Sequence, residues 1–361
     1  MRTKNRDQTE LATPHDLGYS MPAEWAAHRA TWLSWPHNRG TWPTSLEKVR
    51  SSWIRMIELL SPHEWVCLLV NDEETERDVT SRLKNSATVM EHVSIVKIPT
   101  VDAWIRDYGP TFVLRDTETD SLALNDWIFN GWGGKYKTYE EDDRVAQGMA
   151  SLLQVPVFEH RVVLEGGSIE VNGRGTCLTT EQCLLNKNRN PHLSRSEIEQ
   201  FLMGSLGVNH LIWLGEGIAG DDTDGHIDDI ARFVDPTTVV CALEANPKDE
   251  NYDALQTNFE RLQGARDQSG SKLCVVALPC PDPSFSEGSR LPASYVNFYI
   301  ANELVLVPTF NDPKDSKAVG ILQELFPDRK AVGIGCREIV AGLGGIHCVT
   351  QQEPRIPHSR G

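Results

Sequence analysis

The sequence predicts an α/β fold in which five hairpin-and-helix units close about a central axis, and three observations carry that prediction. Short apolar strands come in pairs joined by tight polar turns, helical stretches separate the pairs, and the alternation recurs about five times at a spacing on the order of 50 to 70 residues. A polar side chain stands ahead of each pair, so closure about an axis would carry these residues to one mouth.

The elements follow in order. The first 18 residues are polar and charged and read as a disordered or extended lead-in. Met21-Pro22-Ala23-Glu24-Trp25 opens ordered structure and runs into an aromatic strand, Ala30 to Trp35, stopped by Pro36. Thr44-Ser45-Leu46-Glu47 reads as a capping box, after which Leu46, Val49, Trp53, Ile57 and Leu60 mark one face of a helix. Trp65 to Val70 has the length of a buried strand, residues 72–84 read as an exposed acidic helix, and Val93 to Pro99 as another strand.

The pairs come next. Asp107-Tyr108-Gly109-Pro110 precedes the strand Thr111 to Leu114, with a polar turn near 116–120. Glu165-Gly166-Gly167 precedes Ser168 to Val171, and Asn172-Gly173 is a hairpin turn before Thr176 to Thr179. His226-Ile227-Asp228 precedes Ile230 to Val234, which turns at Asp235-Pro236 and returns from Val239 to Leu243. Asn297 falls within a strand from Tyr295 to Ile300, which turns at Ala301-Asn302 and returns from Leu304 to Val307. Helices read from Arg144 to Leu153, after the capping box Ser194-Arg195-Ser196-Glu197, from Tyr252 to Arg266 and from Ser316 to Phe326.

Charge narrows the partners. The 361 residues carry 35 Lys and Arg against 51 Asp and Glu, a net of −16, which argues against nucleic acid or an anionic membrane and suits a cationic ligand. Acidity also serves solubility. No apolar run approaches the roughly 20 residues of a spanning helix, so no membrane role is expected. Eight cysteines (67, 177, 183, 241, 274, 280, 336, 348) in a chain of this length, without a secretory signal, read as reduced thiols in the cytoplasm. Neither Cys-x-x-Cys nor His-Glu-x-x-His occurs, so no metal is expected.

The chemistry centres on Gly342-Leu343-Gly344-Gly345-Ile346-His347-Cys348. Its glycines let backbone approach a ligand closely, and they lead into a thiol. A lone cysteine is most often a small buried hydrophobe, and a carboxylate beside a turn most often caps it. Convergence would change that reading, since Asp107, Glu165, His226, Asp228, Asn297 and Cys348 would gather one thiol, one imidazole and several acids. Carboxylates oppose ionisation of a thiol that titrates at about 8.5, which makes sense only if the substrate is itself a cation. A guanidinium offers a planar fork of N–H donors that two carboxylates can grip, leaving its central carbon as an electrophile before the sulfur. Trp104, three residues before Asp107, could lie against that plane through a cation–π contact, or be core at the strand edge.

Ordered motifs along nearly the whole chain resemble the agmatine deiminases, within the bacterial peptidyl-arginine deiminase branch of the guanidine-modifying (pentein) superfamily. They are Met21 to Trp25, Trp35-Pro36-His37-Asn38, Trp104-Ile105-Arg106-Asp107-Tyr108-Gly109-Pro110, Leu164-Glu165-Gly166-Gly167-Ser168 and Leu185-Asn186-Lys187-Asn188-Arg189-Asn190-Pro191. Asp224-Gly225-His226-Ile227-Asp228, Pro292 to Tyr299 and Gly345-Ile346-His347-Cys348-Val349-Thr350-Gln351-Gln352 complete the set. The resemblance implies a five-bladed α/β propeller of pseudo-fivefold ββαβ units, forming one catalytic domain over residues 19–361. It implies Cys348 as nucleophile, and His226 as the acid that protonates departing ammonia and then the base that activates water. Asp107 and Asp228 would bind the guanidinium nitrogens, Glu165 would orient and charge His226, and Asn297 would support.

Trp104 and Gly345 would face the substrate, and no cofactor is implied. Two positions depart from the family pattern: Asp222 stands where the family carries Glu, and Tyr108 where a smaller polar residue is common. Asp222 is assigned to the distal ammonium of agmatine, and both departures bear on the tail pocket. The reaction implied is hydrolysis of agmatine to N-carbamoylputrescine and ammonia through a covalent thiouronium, a step toward putrescine. The alternatives are deimination of peptidyl or free arginine, and a non-catalytic binder of cationic amines. The family also implies a homo-oligomer.

Overall fold

The computed structural model describes residues 12–117, 119 and 121–356. Five small sheets repeat one plan: an antiparallel strand pair, a crossover helix, and a third strand parallel to the second. In the unit after Asp107, Thr111–Leu114 pairs antiparallel with Leu122–Ile128, and the helix Val145–Leu153 returns the chain to Val157–Val163. The next three units repeat this as Glu170–Val171, Thr176–Thr180 and His210–Leu214; Ala231–Phe233, Thr238–Leu243 and Cys274–Pro279; and Tyr299–Ile300, Leu304–Thr309 and Lys330–Gly335. Their helices are Arg195–Leu206, Tyr252–Gly264 and Asp315–Leu325.

The remaining unit joins the two ends of the chain. Gln351–Pro354 lies antiparallel to His28–Ser34, which runs parallel to Trp65–Val70 through the helix Leu46–Leu60. A further helix, Glu73–Lys84, adds Val93–Lys97 to the outside of this sheet. This is the five-unit α/β propeller expected from the sequence, closed by its last strand.

Apolar periodicity built these elements as anticipated. Leu46, Val49, Trp53, Ile57 and Leu60 are all buried on one helix face, and Met56 joins them. Every residue of Thr176–Thr180 is buried, as fits a central strand covered on two faces. The third strands are different: Cys274–Pro279 and Lys330–Gly335 are largely half-exposed edges.

Several boundaries need correction. Of the lead-in expected at 1–18, residues 1–11 lie outside the described residues, and His15–Leu17 form a 3-10 turn rather than an extended stretch. Thr44 does not cap the first helix; Ser45 holds that position without a side-chain bond, and Glu47 pairs with Arg50 and Arg82 instead. Asn297 sits in the loop before its strand, which begins only at Tyr299. The expected strand from Ser168 is a 3-10 turn, Gly166–Ser168, followed by two strand residues. Of the turn near 116–120, residues 118 and 120 lie outside the described residues.

This architecture fixes where chemistry gathers. Asp107, Glu165, His226, Asn297 and Cys348 each lie two to five residues before the first strand of their own unit. Five equivalent loops therefore deliver them to one end of the ring.

Candidate active site

Each loop presents its side chain through a short turn rather than a long helix. Asp107 lies in the helical turn Ile105–Tyr108, and His226 immediately precedes the 3-10 turn Ile227–Asp229, which carries Asp228. Gly167 stands at the centre: a methyl group added there would lie 2.6 Å from His226 Nδ1, 2.8 Å from Asp107 Oδ1 and 3.1 Å from Asp228 Oδ2. Three side chains from two distant segments thus converge on one glycine, whose N–H donates to Asp107 Oδ1 at 3.0 Å. Cys348 Sγ lies 3.9 Å from Asp228 Oδ2, and Asn297 Nδ2 donates to that sulfur at 3.2 Å. His226 Nδ1 is 3.6 Å from Asp107 Oδ1, and its Nε2 is 4.0 Å from Glu165 Oε2.

These groups are buried and incompletely paired. Among the described residues, neither ring nitrogen of His226, nor Glu165 Oε2, nor Asp228 Oδ1 has a hydrogen-bond partner. Buried polar atoms are ordinarily satisfied, so orphans gathered at one place mark a site built for a ligand. Burial pulls the His226 imidazole down to about 3, against the pull of Asp228. Burial, followed by Asp228, Asp229 and Asp107, pushes the Cys348 thiol well above its ordinary value. Burial likewise raises Asp107, helped by Asp228 and Glu165. Burial works to raise Asp228 as well, but the hydrogen bond and charge of His347 outweigh it and hold that carboxyl below its usual value. The site therefore combines a neutral His226 imidazole with an un-ionised thiol, beside an Asp107 carboxyl that burial and its acidic neighbours hold against ionisation.

A cavity of about 440 Å³ opens over Cys348 and Asp107. Its wall includes Trp104, Phe129, Trp132, Tyr136 and Tyr139, together with Asp102, Asp142 and Asp222. Among the described residues, four aspartates and no lysine or arginine line it. Asp222 is already engaged: Tyr136 donates its hydroxyl to Oδ2 at 2.7 Å, and Lys135 Nζ lies 3.5 Å from Oδ1. Tyr108 does not reach the cavity; its hydroxyl donates to the Asp102 carbonyl at 2.8 Å and lies 2.7 Å from the Ser34 hydroxyl, bracing the loop that carries Asp102. The expected effect of Tyr108 on the tail pocket is thus indirect.

Gly345 is needed for space. A methyl group there would lie 2.3 Å from Asn297 Oδ1, which accepts from the backbone N–H of His347 at 2.8 Å. Asn297 therefore splints the thiol loop.

Four contributors escaped the sequence reading. Trp132, with φ of 52° in the left-handed region, donates its indole N–H to Asp107 Oδ2 at 2.9 Å. Arg189 Nε donates to Glu165 Oε1 at 2.7 Å, leaving only Oε2 toward His226. His347 Nδ1 lies 2.7 Å from Asp228 Oδ2, and Asp229 Oδ1 accepts from Asn297 Nδ2 at 3.0 Å. Arg189 and His347 stood inside motifs already singled out, which was the one available signal; Trp132 gave none. Glu165, Cys183 and His226 also place possible metal-ligand atoms within 4.8 Å of one another. The Arg189 guanidinium on Glu165 puts a fixed positive charge beside that group, which opposes a second cation.

Residues 20–354 match the Porphyromonas-type peptidyl-arginine deiminase family. The chain is 39% identical over 369 residues to an agmatine deiminase of Ectopseudomonas mendocina, covering 96% of this chain and 98% of that one. It is 39% identical over 375 residues to an agmatine deiminase of Medicago truncatula, covering 95% and 98%. Among solved structures, the agmatine deiminase of Enterococcus faecalis superposes with a TM-score of 0.89 at 34% identity, over 96% of this chain and 98% of that one. A cysteine-to-serine variant of the C. jejuni agmatine deiminase with substrate bound gives 0.85 at 30% identity, over 93% and 96%.

Proposed function

The chain belongs to the Porphyromonas-type peptidyl-arginine deiminase family, and from that premise we infer that it hydrolyses agmatine to N-carbamoylputrescine and ammonia. The observation that carries this reading is the cavity wall: a thiol and a carboxylate at the reacting end, aromatic rings along the side, and acids with no basic residue. A guanidinium joined to a distal ammonium is complementary to such a wall throughout. The α-carboxylate of free arginine would face the aspartates without a cation to meet it.

In this reading Asp107 and Asp228 grip the guanidinium nitrogens, and Trp104 lies against its plane. The cation offsets the surrounding acids, which removes the largest charge opposing ionisation of Cys348. Cys348 passes its proton to His226 as the sulfur forms a C–S bond to the guanidinium carbon. The resulting imidazolium returns that proton to the departing nitrogen, and ammonia leaves a covalent thiouronium. The same imidazole then takes a proton from water as its oxygen adds to that carbon; the C–S bond breaks, giving the ureido product and restoring the thiol.

Glu165 supports the imidazolium as it forms, and Asn297 and Gly345 hold the sulfur in line. Asp222 belongs to the wall that receives the ammonium, sharing that work with Asp102 and Asp142. No cofactor enters this scheme. The reaction serves a step toward putrescine within one catalytic domain over residues 19–361. A cytoplasmic setting fits eight cysteines that are all free thiols, and no helix among the described residues is long and apolar enough to cross a membrane. A homo-oligomer is part of the same proposal.

The test is ammonia release from agmatine, free arginine and a C-terminal-arginine peptide, compared side by side under reducing conditions. Agmatine is expected to be turned over far faster than the other two. Preference for either arginine substrate would replace the reading, and turnover of none would leave a cationic-amine binder.

A further inference from the structure

His347 directly precedes the reactive cysteine and has no part in the reaction as derived, yet each of its ring nitrogens meets a carboxylate. Nδ1 lies 2.7 Å from Asp228 Oδ2, and Nε2 lies 2.8 Å from Glu24 Oε2. A neutral imidazole carries one N–H, so two such contacts require two protons shared among Glu24, His347 and Asp228. Glu24 is also paired with Arg232 at 2.8 Å and Arg106 at 3.3 Å, and these two cations favour its anionic form. One proton therefore stays on Nε2, facing Glu24. The other lies between Nδ1 and Asp228 Oδ2, where burial and the charges of Arg106 and Arg232 disfavour an imidazolium while Glu24 and the hydrogen bond to Asp228 favour it.

The far side of the ring is well anchored. Arg232 is held by Glu170 Oε2 at 2.7 Å, and Arg106 by Gln352 Oε1 at 2.7 Å. Asp228 Oδ1, by contrast, is buried with no hydrogen-bond partner among the described residues. The imidazole thus occupies one oxygen of the carboxylate assigned to the guanidinium and leaves the other unpaired. Charged groups reach it from four directions: Glu24, Arg106, Arg232 and Asp228, with His226, Asp107 and Asp229 lying around Asp228 itself.

We propose that His347 is a positioning residue for the guanidinium site: anchored through Glu24 to Arg106 and Arg232, its Nδ1–H locks Asp228 so that Oδ1 is presented to the substrate. The proposal rests on the deiminase reading, and it adds a specific atom, Nδ1–H, on which substrate binding depends. A merely structural buried histidine would depend on its two nitrogens alike.

Two substitutions separate those possibilities. An asparagine amide falls near the place of Nδ1, and a glutamine amide near that of Nε2, so H347N keeps a donor toward Asp228 whereas H347Q keeps one toward Glu24. In steady-state kinetics on the full chain, H347Q is expected to raise the KM for agmatine about tenfold with a smaller loss in kcat, and H347N to recover most of that loss. Equal losses in the two variants, or a loss confined to kcat, would overturn the proposal.

Histidine-selective nitrogen NMR of the wild-type chain supplies a second reading that needs neither variant to fold. Both ring nitrogens of His347 are expected to carry protons at neutral pH, and a bare Nδ1 would overturn the proposal. A wild-type chain that folds and shows the doubly protonated ring but leaves agmatine untouched would instead refute the functional reading and leave the His347 clamp standing.

Discussion

Cys348 and Asp107 are set against their own ionisation until a cation arrives. Burial and the neighbouring acids raise the thiol, and burial with Asp228 and Glu165 raises the Asp107 carboxyl. Cys348→Ala is therefore expected to abolish ammonia release while leaving agmatine binding measurable; retained turnover would end the covalent mechanism. The same variant isolates the acid. In the free protein the Asp107 carboxyl ionises well above its ordinary value, and a bound guanidinium pulls that ionisation down, so binding expels a proton. Affinity must then rise with pH through the free-state ionisation, at most about tenfold per pH unit, and fall as the acid becomes protonated. Calorimetry of agmatine binding to the Cys348→Ala chain, in buffers of differing ionisation enthalpy, should record proton release; uptake would contradict the assignment.

Trp132 sharpens the point, because its indole N–H stabilises the charged form of Asp107. Trp132→Phe keeps the ring and loses the donor, for an expected loss of about tenfold in kcat/KM, on the order of 1–2 kcal/mol. Cys348, His226, Asp107 and Asp228 were singled out in the sequence through motifs that resemble the family, and the fold brings them into one buried cluster. Trp132 was not, since its importance comes from a contact that only the folded chain creates.

Among the elements, the loop Gly342–Gly345 and the strands it joins show where pattern reading succeeds and fails. Second strands such as Thr238–Leu243 are buried on two faces, and their continuous apolar runs announce them. Third strands such as Cys274–Pro279 escape although Val275, Val276, Ala277 and Leu278 form an apolar run, because a hairpin pattern marks only strands joined by tight turns and this one follows a crossover helix. The glycine loop was legible as a close approach, but its object was not. Gly345 makes room for Asn297, whose Oδ1 in turn accepts from the backbone N–H groups of His347 and Cys348. Gly345→Ala should therefore displace Asn297 and the thiol together. A shift of about 1 Å in a reacting atom can cost roughly a hundredfold, so kcat is expected to fall on that scale while the thermal midpoint changes little. Unchanged kcat in a folded Gly345→Ala chain would show that Asn297 does not position the sulfur.

Across the whole molecule, turnover is expected to depend on ring closure, since the residues that close the ring follow Cys348 by only a few positions. Gln351–Pro354 completes the first sheet against His28–Ser34, and Glu353 secures that junction: it is buried, accepts from the Trp32 indole N–H at 2.8 Å and pairs with Arg29. Gln351 meanwhile donates to the Pro110 carbonyl at 2.8 Å, tying the closing strand to the loop that carries Asp107. Glu353→Ala leaves the Trp32 N–H buried without an acceptor and Arg29 without its partner, an expected cost of roughly 2–4 kcal/mol. Glu353→Gln keeps an acceptor for Trp32 and should lose less. Glu353 does not line the cavity, so a purely local account predicts unchanged kinetics for the molecules that remain folded. Closure predicts otherwise: with its last strand loosened, Cys348 is anchored on one side only, and kcat should fall with the thermal midpoint across Gln and Ala in that order. Measuring the two quantities on the same preparations decides the matter, because a lowered midpoint with undiminished kcat would confine Glu353 to stability alone.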